Sequence, residues 1–126
     1  MMEDCPFCSG KTQGRVLMEE GTVCAIPDLY PVTSGHHLVV PKRHVPSYFE
    51  MTDEERRDAD KLLFRLRTRI LASDHTVKGF NIGMNCGCVA GQTVAHAHIH
   101  LIPRREGDVA HPRGGVRGCV PDKMSY

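Results

Sequence analysis

Residues 96–102 read His-Ala-His-Ile-His-Leu-Ile, and this alternation limits the folds open to the chain more than any other stretch. Successive side chains of an extended strand point to opposite faces of a sheet. His96, His98 and His100 therefore fall on one face, and Ala97, Ile99 and Leu101 on the other. Such a strand needs a sheet with an apolar layer on one side and room for imidazoles on the other. Exposed strand faces ordinarily carry Thr, Lys or Glu. One titratable residue type three times running points instead to chemistry, because imidazole changes charge near neutral pH.

The layer that covers such a sheet is also legible. Residues 52 to about 72 read as one long helix, opened by a capping box of Thr52 and Glu55. Asp53, Glu54 and Glu55 crowd its first turn, while Arg65, Arg67 and Arg69 lie near its end, both favourable for the helix dipole. Ala59, Leu62, Leu63, Leu66 and Ile70 recur at helical spacing and form one apolar stripe. Residues 15–20 and 22–26 read as a hairpin about Gly21. A third strand spans residues 37–40 and ends at Pro41. A fourth, weakened by glycines, spans 79–85, and a glycine-rich loop over 86–92 leads to the histidine strand. After Pro103 the pattern becomes irregular, leaving a tail over about 104–126. The sum is a single α+β domain over 1–126, a mostly antiparallel five-stranded sheet with one long helix.

With 126 residues the chain holds one core. A formal charge of +1 gives no electrostatic case for nucleic acid or a membrane surface as partner. No apolar run approaches the ~20 residues that span a bilayer. Residues 1–10 lack the apolar centre of a secretory signal, so a cytoplasmic location is expected. Without such a signal the six cysteines do not suggest a disulfide scaffold. Cys5-Pro6-Phe7-Cys8 reads as a metal clamp or a free thiol pair, and Cys24 as a small core residue. No role is assigned to Cys86, Cys88 or Cys119.

His98, in the middle of the three, is the candidate nucleophile. If a carbonyl or carboxylate holds its Nδ1–H, Nε2 is left unprotonated and fixed for attack. A phosphoanhydride phosphorus is a natural target, and the resulting phosphoryl-histidine is labile to water. Gly91-Gln92-Thr93, immediately upstream, offers backbone amides, an amide side chain and a hydroxyl as a phosphate cradle. His100 is placed to touch phosphoryl oxygens or the leaving group, and His36 to reach the same pocket. Metal binding is the competing chemistry. Three histidines on a strand make an open zinc site, and Cys5 and Cys8 need two further ligands that spacing alone does not choose.

The run Gly91-Gln92-Thr93-Val94-Ala95-His96-Ala97-His98-Ile99-His100-Leu101-Ile102-Pro103-Arg104 closely resembles the motif of the histidine triad (HIT) superfamily. Gly35-His36-His37-Leu38-Val39-Val40-Pro41-Lys42-Arg43-His44 resembles the same family's third-strand segment. The resemblance implies a five-stranded antiparallel sheet with one long helix, in a homodimer that joins two sheets. It implies cleavage at the α-phosphate of dinucleoside polyphosphates or nucleoside phosphoramidates, purine nucleoside phosphates among them. His98 would become nucleotidylated, with His100, Gln92, Thr93 and Asn85 at the phosphate and His36 in support. Asp28 would take the ribose hydroxyls, and Ile26 and Leu29 would wall the base. Bacterial relatives of this type bind zinc through a Cys-x-x-Cys pair and two histidines, which here implies Cys5, Cys8, His44 and His96. Thr93 and Pro103-Arg104 resemble the dinucleoside polyphosphate hydrolase branch more than the phosphoramidase branch. A nucleotide-binding module with little turnover, and a zinc enzyme using the triad as ligands, are the alternatives.

Overall fold

The computed structural model describes residues 5–126; the reading of residues 1–4 as part of a signal-free N-terminus lies outside the described residues. Five strands, β1 (Met18–Glu20), β2 (Val23–Pro27), β3 (His37–Pro41), β4 (Val77–Gly83) and β5 (Ile99–Arg105), form one sheet in the order β1-β2-β3-β5-β4. Every neighbouring pair is antiparallel. A four-residue helical turn, α1 (Ser9–Thr12), follows the cysteine pair, and the long helix α2 (Asp53–Ser73) packs against the sheet. No helix among the described residues is long and apolar enough to cross a membrane.

The helix begins where its cap dictates. Thr52 Oγ1 accepts the Glu55 N–H at 3.0 Å, and Glu55 Oε1 accepts the Thr52 N–H at 2.8 Å, completing the capping box. Glu55 is buried and also receives Arg43, whose Nε and Nη2 donate at 3.0 and 2.9 Å. One carboxylate thus starts α2 and ties it to the exit of β3. The Arg43 guanidinium beside it holds the Glu55 carboxyl below the usual carboxylate range. At the other edge, Asp58 accepts the backbone N–H and hydroxyl of Thr22 at 2.8 and 2.7 Å, clamping the first hairpin onto α2. Gly21, at φ +51°, makes that turn, and a Cβ there would collide with the Asp58 carboxylate.

Ala59, Leu62, Leu66 and Ile70 of α2 pack on Val23, Ala25, Val39, Ile99 and Leu101 of the sheet and on Ala97 in the approach to β5. Each large aliphatic side chain so buried contributes about 1.5–3 kcal/mol. On the opposite face Cys24, Ile26, Leu38 and Val40 form a second small core, closed by Phe7 and Val16. Leu38 is paired with His100 and so shares its face. The N-terminal segment therefore covers the β2–β3 half of the histidine side.

The structure moves several boundaries. The fifth strand starts at Ile99, not His96, and runs through Pro103 to Arg105. Thr33 Oγ1 donates to the Pro103 carbonyl at 2.7 Å, so that residue's N and O face the loop before β3, away from β4. No ladder hydrogen bond is lost there, which is why proline does not end the strand. The fourth strand covers Val77–Gly83 instead of 79–85, because its last partner is His100, opposite Gly83. Beyond it Met84 and Asn85 belong to the loop. The tail is not wholly irregular, since 3₁₀ turns form at Gly115–Cys119 and Pro121–Lys123. No basic residue falls in the last turn of α2; Arg65 instead reaches back to Glu20 and the Glu19 carbonyl.

Candidate active site

The three histidines of the alternating run do not share one environment. His96 and His98 lie in the segment leading into β5, and only His100 is within it. His98 is buried, and its Nδ1 stands 2.8 Å from the His96 carbonyl. A carbonyl only accepts, so Nδ1 carries the proton and Nε2 bears the lone pair. This is the tautomer a nucleophile needs, held by backbone rather than by a mobile side chain. The Phe7 ring packs against it, with centroids 4.8 Å apart, and the His100 ring centroid is 5.2 Å away.

His100 belongs to a second group. The Val32 N–H donates to His36 Nδ1 at 3.1 Å, which puts the His36 proton on Nε2. That Nε2 is 2.9 Å from His100 Nδ1 and 3.3 Å from Asp28 Oδ2. His100 Nδ1 accepts, and the His100 ring is left with Nε2–H as its donor. Burial pushes both rings below the ordinary imidazole value, so they stay neutral. At His100 the neighbouring His98 and His36 add to that effect and the Asp28 carboxylate opposes it. His100 also lines a cavity of about 420 Å³, with Asn85, Ile102, Gly115, Val116 and Cys119 among its other walls.

His96 joins a third group. Its Nε2 donates to the Pro41 carbonyl at 2.7 Å, leaving an unprotonated Nδ1. That Nδ1 faces Cys5 Sγ at 3.4 Å, Cys8 Sγ at 3.7 Å and His44 Nδ1 at 3.2 Å, and Cys8 Sγ is 3.2 Å from His44 Nδ1. A tetrahedral zinc bound by two thiolates and two imidazoles has ligand-to-ligand edges of about 3.3–3.8 Å. The four residues, drawn from the N-terminus, the exit of β3 and the approach to β5, therefore fit a metal ion. Burial, and then the neighbouring Cys5, pushes the Cys8 thiol up. His96 is lowered chiefly by burial, which favours the neutral ligand form.

Asp28, His36 and His100 also bring three ligand-type atoms together. There, however, His36 already uses its Nδ1 lone pair on a backbone N–H, and a metal on Nε2 would demand an imidazolate. Among the described residues the three rings of the triad do not converge on one ligand group, since His96 and His100 sit in different groups and His98 in neither.

The remaining expected residues divide. Gln92 is a loop staple: its Nε2 donates to the Pro46 and Val94 carbonyls at 2.6 and 2.9 Å, and its Oε1 accepts the Gly87 N–H at 2.8 Å. Its side chain has no amide hydrogen left for a phosphate in this arrangement. Thr93 is exposed in the same segment, and Asn85 is half-buried at the cavity. Ile26 is fully buried in the second core, whereas Leu29 is 63% exposed. Asp28 is turned to His36, with Oδ1 taken by the Tyr30 N–H at 2.8 Å. Two residues escaped the sequence reading. Phe7 was hidden as a spacer between two cysteines, and Arg43 carried no signal beyond following a strand.

Comparison with known proteins agrees with this geometry. The family model of the HIT domain matches residues 9–107. A HIT-like protein of Methanocaldococcus jannaschii is 40% identical over 107 residues, covering 82% of this chain and 81% of its own. An AP-4-A phosphorylase of Mycobacterium tuberculosis is 37% identical over 98 residues, covering 76% of this chain but 49% of the phosphorylase. A Zn-bound histidine triad family protein from Mycobacterium smegmatis superposes with a TM-score of 0.75 at 30% identity, covering 100% of this chain and 83% of that one. With the triad, the sheet and the helix in place, the chain belongs to the HIT domain family.

Proposed function

We propose that the chain is a nucleotide hydrolase or transferase acting through His98. The observation that carries this reading is the 2.8 Å contact of His98 Nδ1 with the His96 carbonyl, which leaves Nε2 as a fixed lone pair. Nε2 attacks the α-phosphorus of a dinucleoside polyphosphate or nucleoside phosphoramidate, and the bond from phosphorus to the leaving group breaks. The positive charge that develops on the ring is held at Nδ1–H by the carbonyl dipole. A polyphosphate departs as an anion, whereas an amine takes its proton from water; the neutral His100 ring offers its Nε2–H as a hydrogen bond to the departing atom beside the cavity. Water then attacks the nucleotidyl-histidine, yielding a nucleoside monophosphate and the free imidazole. Asn85 and Thr93 are assigned to the phosphate, Asp28 to the ribose, and Phe7 with Leu29 to the base.

Cys5, Cys8, His44 and His96 are assigned to zinc, with a structural role. A closed four-ligand site leaves no open position for chemistry. It would fix the N-terminal segment, and with it Phe7, against His98. A homodimer is supported by the edge position of β4 and by exposed Phe49 and Ile82 on the groove between that strand and α2. Six unpaired cysteines suit a reducing, cytoplasmic compartment.

The test is a substrate panel. Diadenosine polyphosphates and adenosine 5′-phosphoramidate are incubated with the wild type and with His98→Ala, and adenosine monophosphate release is followed. Release by the wild type and none by the variant is the expected result. Tight nucleotide binding without release of product would instead mark a binding module.

A further inference from the structure

Asp28 is fixed more tightly to the histidine pair than a ribose contact requires. Its backbone N–H donates to the His36 carbonyl at 3.0 Å, and its Oδ1 accepts the Tyr30 N–H at 2.8 Å. Those two bonds orient the carboxylate, and Oδ2 comes to 3.3 Å from His36 Nε2 and 3.9 Å from His100 Nδ1. The carboxylate side chain is only 16% exposed and His36 only 3%, so their attraction is little screened. We propose that Asp28 is a positioning residue, whose charge keeps the proton on His36 Nε2 and so sets the tautomer and orientation of His100.

The argument is one of donors and acceptors. Val32 N–H takes His36 Nδ1, so a neutral His36 must carry its proton on Nε2. A negative charge at 3.3 Å favours the proton at that nitrogen. The same N–H reaches His100 Nδ1 at 2.9 Å and obliges that ring to keep its own proton on Nε2, the only edge left for phosphate or leaving group. With asparagine at position 28, Oδ1 would still accept from Tyr30, and an NH₂ group would face His36 Nε2–H. Two donors would then oppose each other, and the ring would lose its hold on His100.

This inference rests on the proposed reaction at His98, and the experiment separates the two. Wild type, Asp28→Asn and Asp28→Glu are assayed with adenosine 5′-phosphoramidate and with its 2′,3′-dideoxy counterpart, which offers no ribose hydroxyls. A positioning role predicts that Asp28→Asn lowers kcat by about tenfold or more with both sugars, and that Asp28→Glu restores most of it. A role confined to the ribose predicts a raised KM for the ribonucleotide and unchanged kinetics with the dideoxy compound, and would overturn the proposal. Imidazole ¹⁵N spectra of the wild type and Asp28→Asn provide a readout independent of turnover. In the wild type His36 and His100 are expected as single Nε2–H tautomers, and a protonated Nδ1 on His100, or tautomers and shifts unchanged in Asp28→Asn, would also refute the inference. Failure of the wild type to process either compound would strike the reaction itself and leave the spectra to judge Asp28.

Discussion

Two histidine clusters flank His98, and they are built from nearly the same parts to opposite ends. In the Cys5, Cys8, His44 and His96 cluster, the outward nitrogen of His96 donates to the Pro41 carbonyl, so a lone pair points inward at thiols. In the Asp28, His36 and His100 cluster, the outward nitrogen of His36 accepts a backbone N–H, so a proton points inward at another imidazole. One backbone group, carbonyl or amide, decides whether an imidazole offers a lone pair to a metal or a proton to its neighbour. His98 repeats the carbonyl arrangement, with Nδ1 on the His96 carbonyl, and the proposed reaction uses the lone pair this leaves on Nε2.

The comparison breaks most visibly at the metal. Cys5→Ser is expected to abolish bound zinc and to destabilise the chain by about 3 kcal/mol or more, while His36→Asn retains about one zinc per chain. Elemental analysis with thermal unfolding checks both, and zinc lost from the His36 variant instead would reverse the assignment. Next in size, His100→Ala should lower turnover about a hundredfold at unchanged zinc content, because only the donor cluster is touched. A control outside both clusters is Glu55→Ala. Removing the cap and the Arg43 pair there should cost about 2 kcal/mol in denaturant unfolding and leave the zinc in place.

Smaller still is the effect of pH. Burial holds His36 and His100 below the ordinary imidazole value of 6.5, so below that pH the unfolded chain binds protons that the folded chain refuses. Their contribution is present above 6.5 and is lost as pH falls toward the folded values. Unfolding midpoints should therefore drop between about pH 7.5 and 5.5, with a shallower slope in His36→Asn. Gln92→Ala should have the least effect on stability, about 1 kcal/mol, seen as faster amide exchange over residues 86–92.

The fold was legible wherever a period or a cap fixed it. The Thr52–Glu55 box placed the start of α2, and the alternation around Ile99 and Leu101 identified the strand they share with His100. What escaped reading depended on partners distant in sequence. Nothing local distinguishes His96 from His100, because their roles follow from Pro41 and His36, brought near only by the β3–β5 pairing. The hydrogen bonds of Gln92 were not legible because its three partners, Gly87, Pro46 and Val94, become neighbours only after the loop closes. Pro103 looked like a terminator because the side of the strand it faces is set by register.

The most direct measurement is the site of covalent attachment. Protein quenched in alkali during turnover of adenosine 5′-phosphoramidate, digested and mapped by mass spectrometry, should carry adenylate on His98 alone. Adenylate on His96, on His100 or on a cysteine would contradict the assignment of the free lone pair, and so would sustained turnover with no adduct at all.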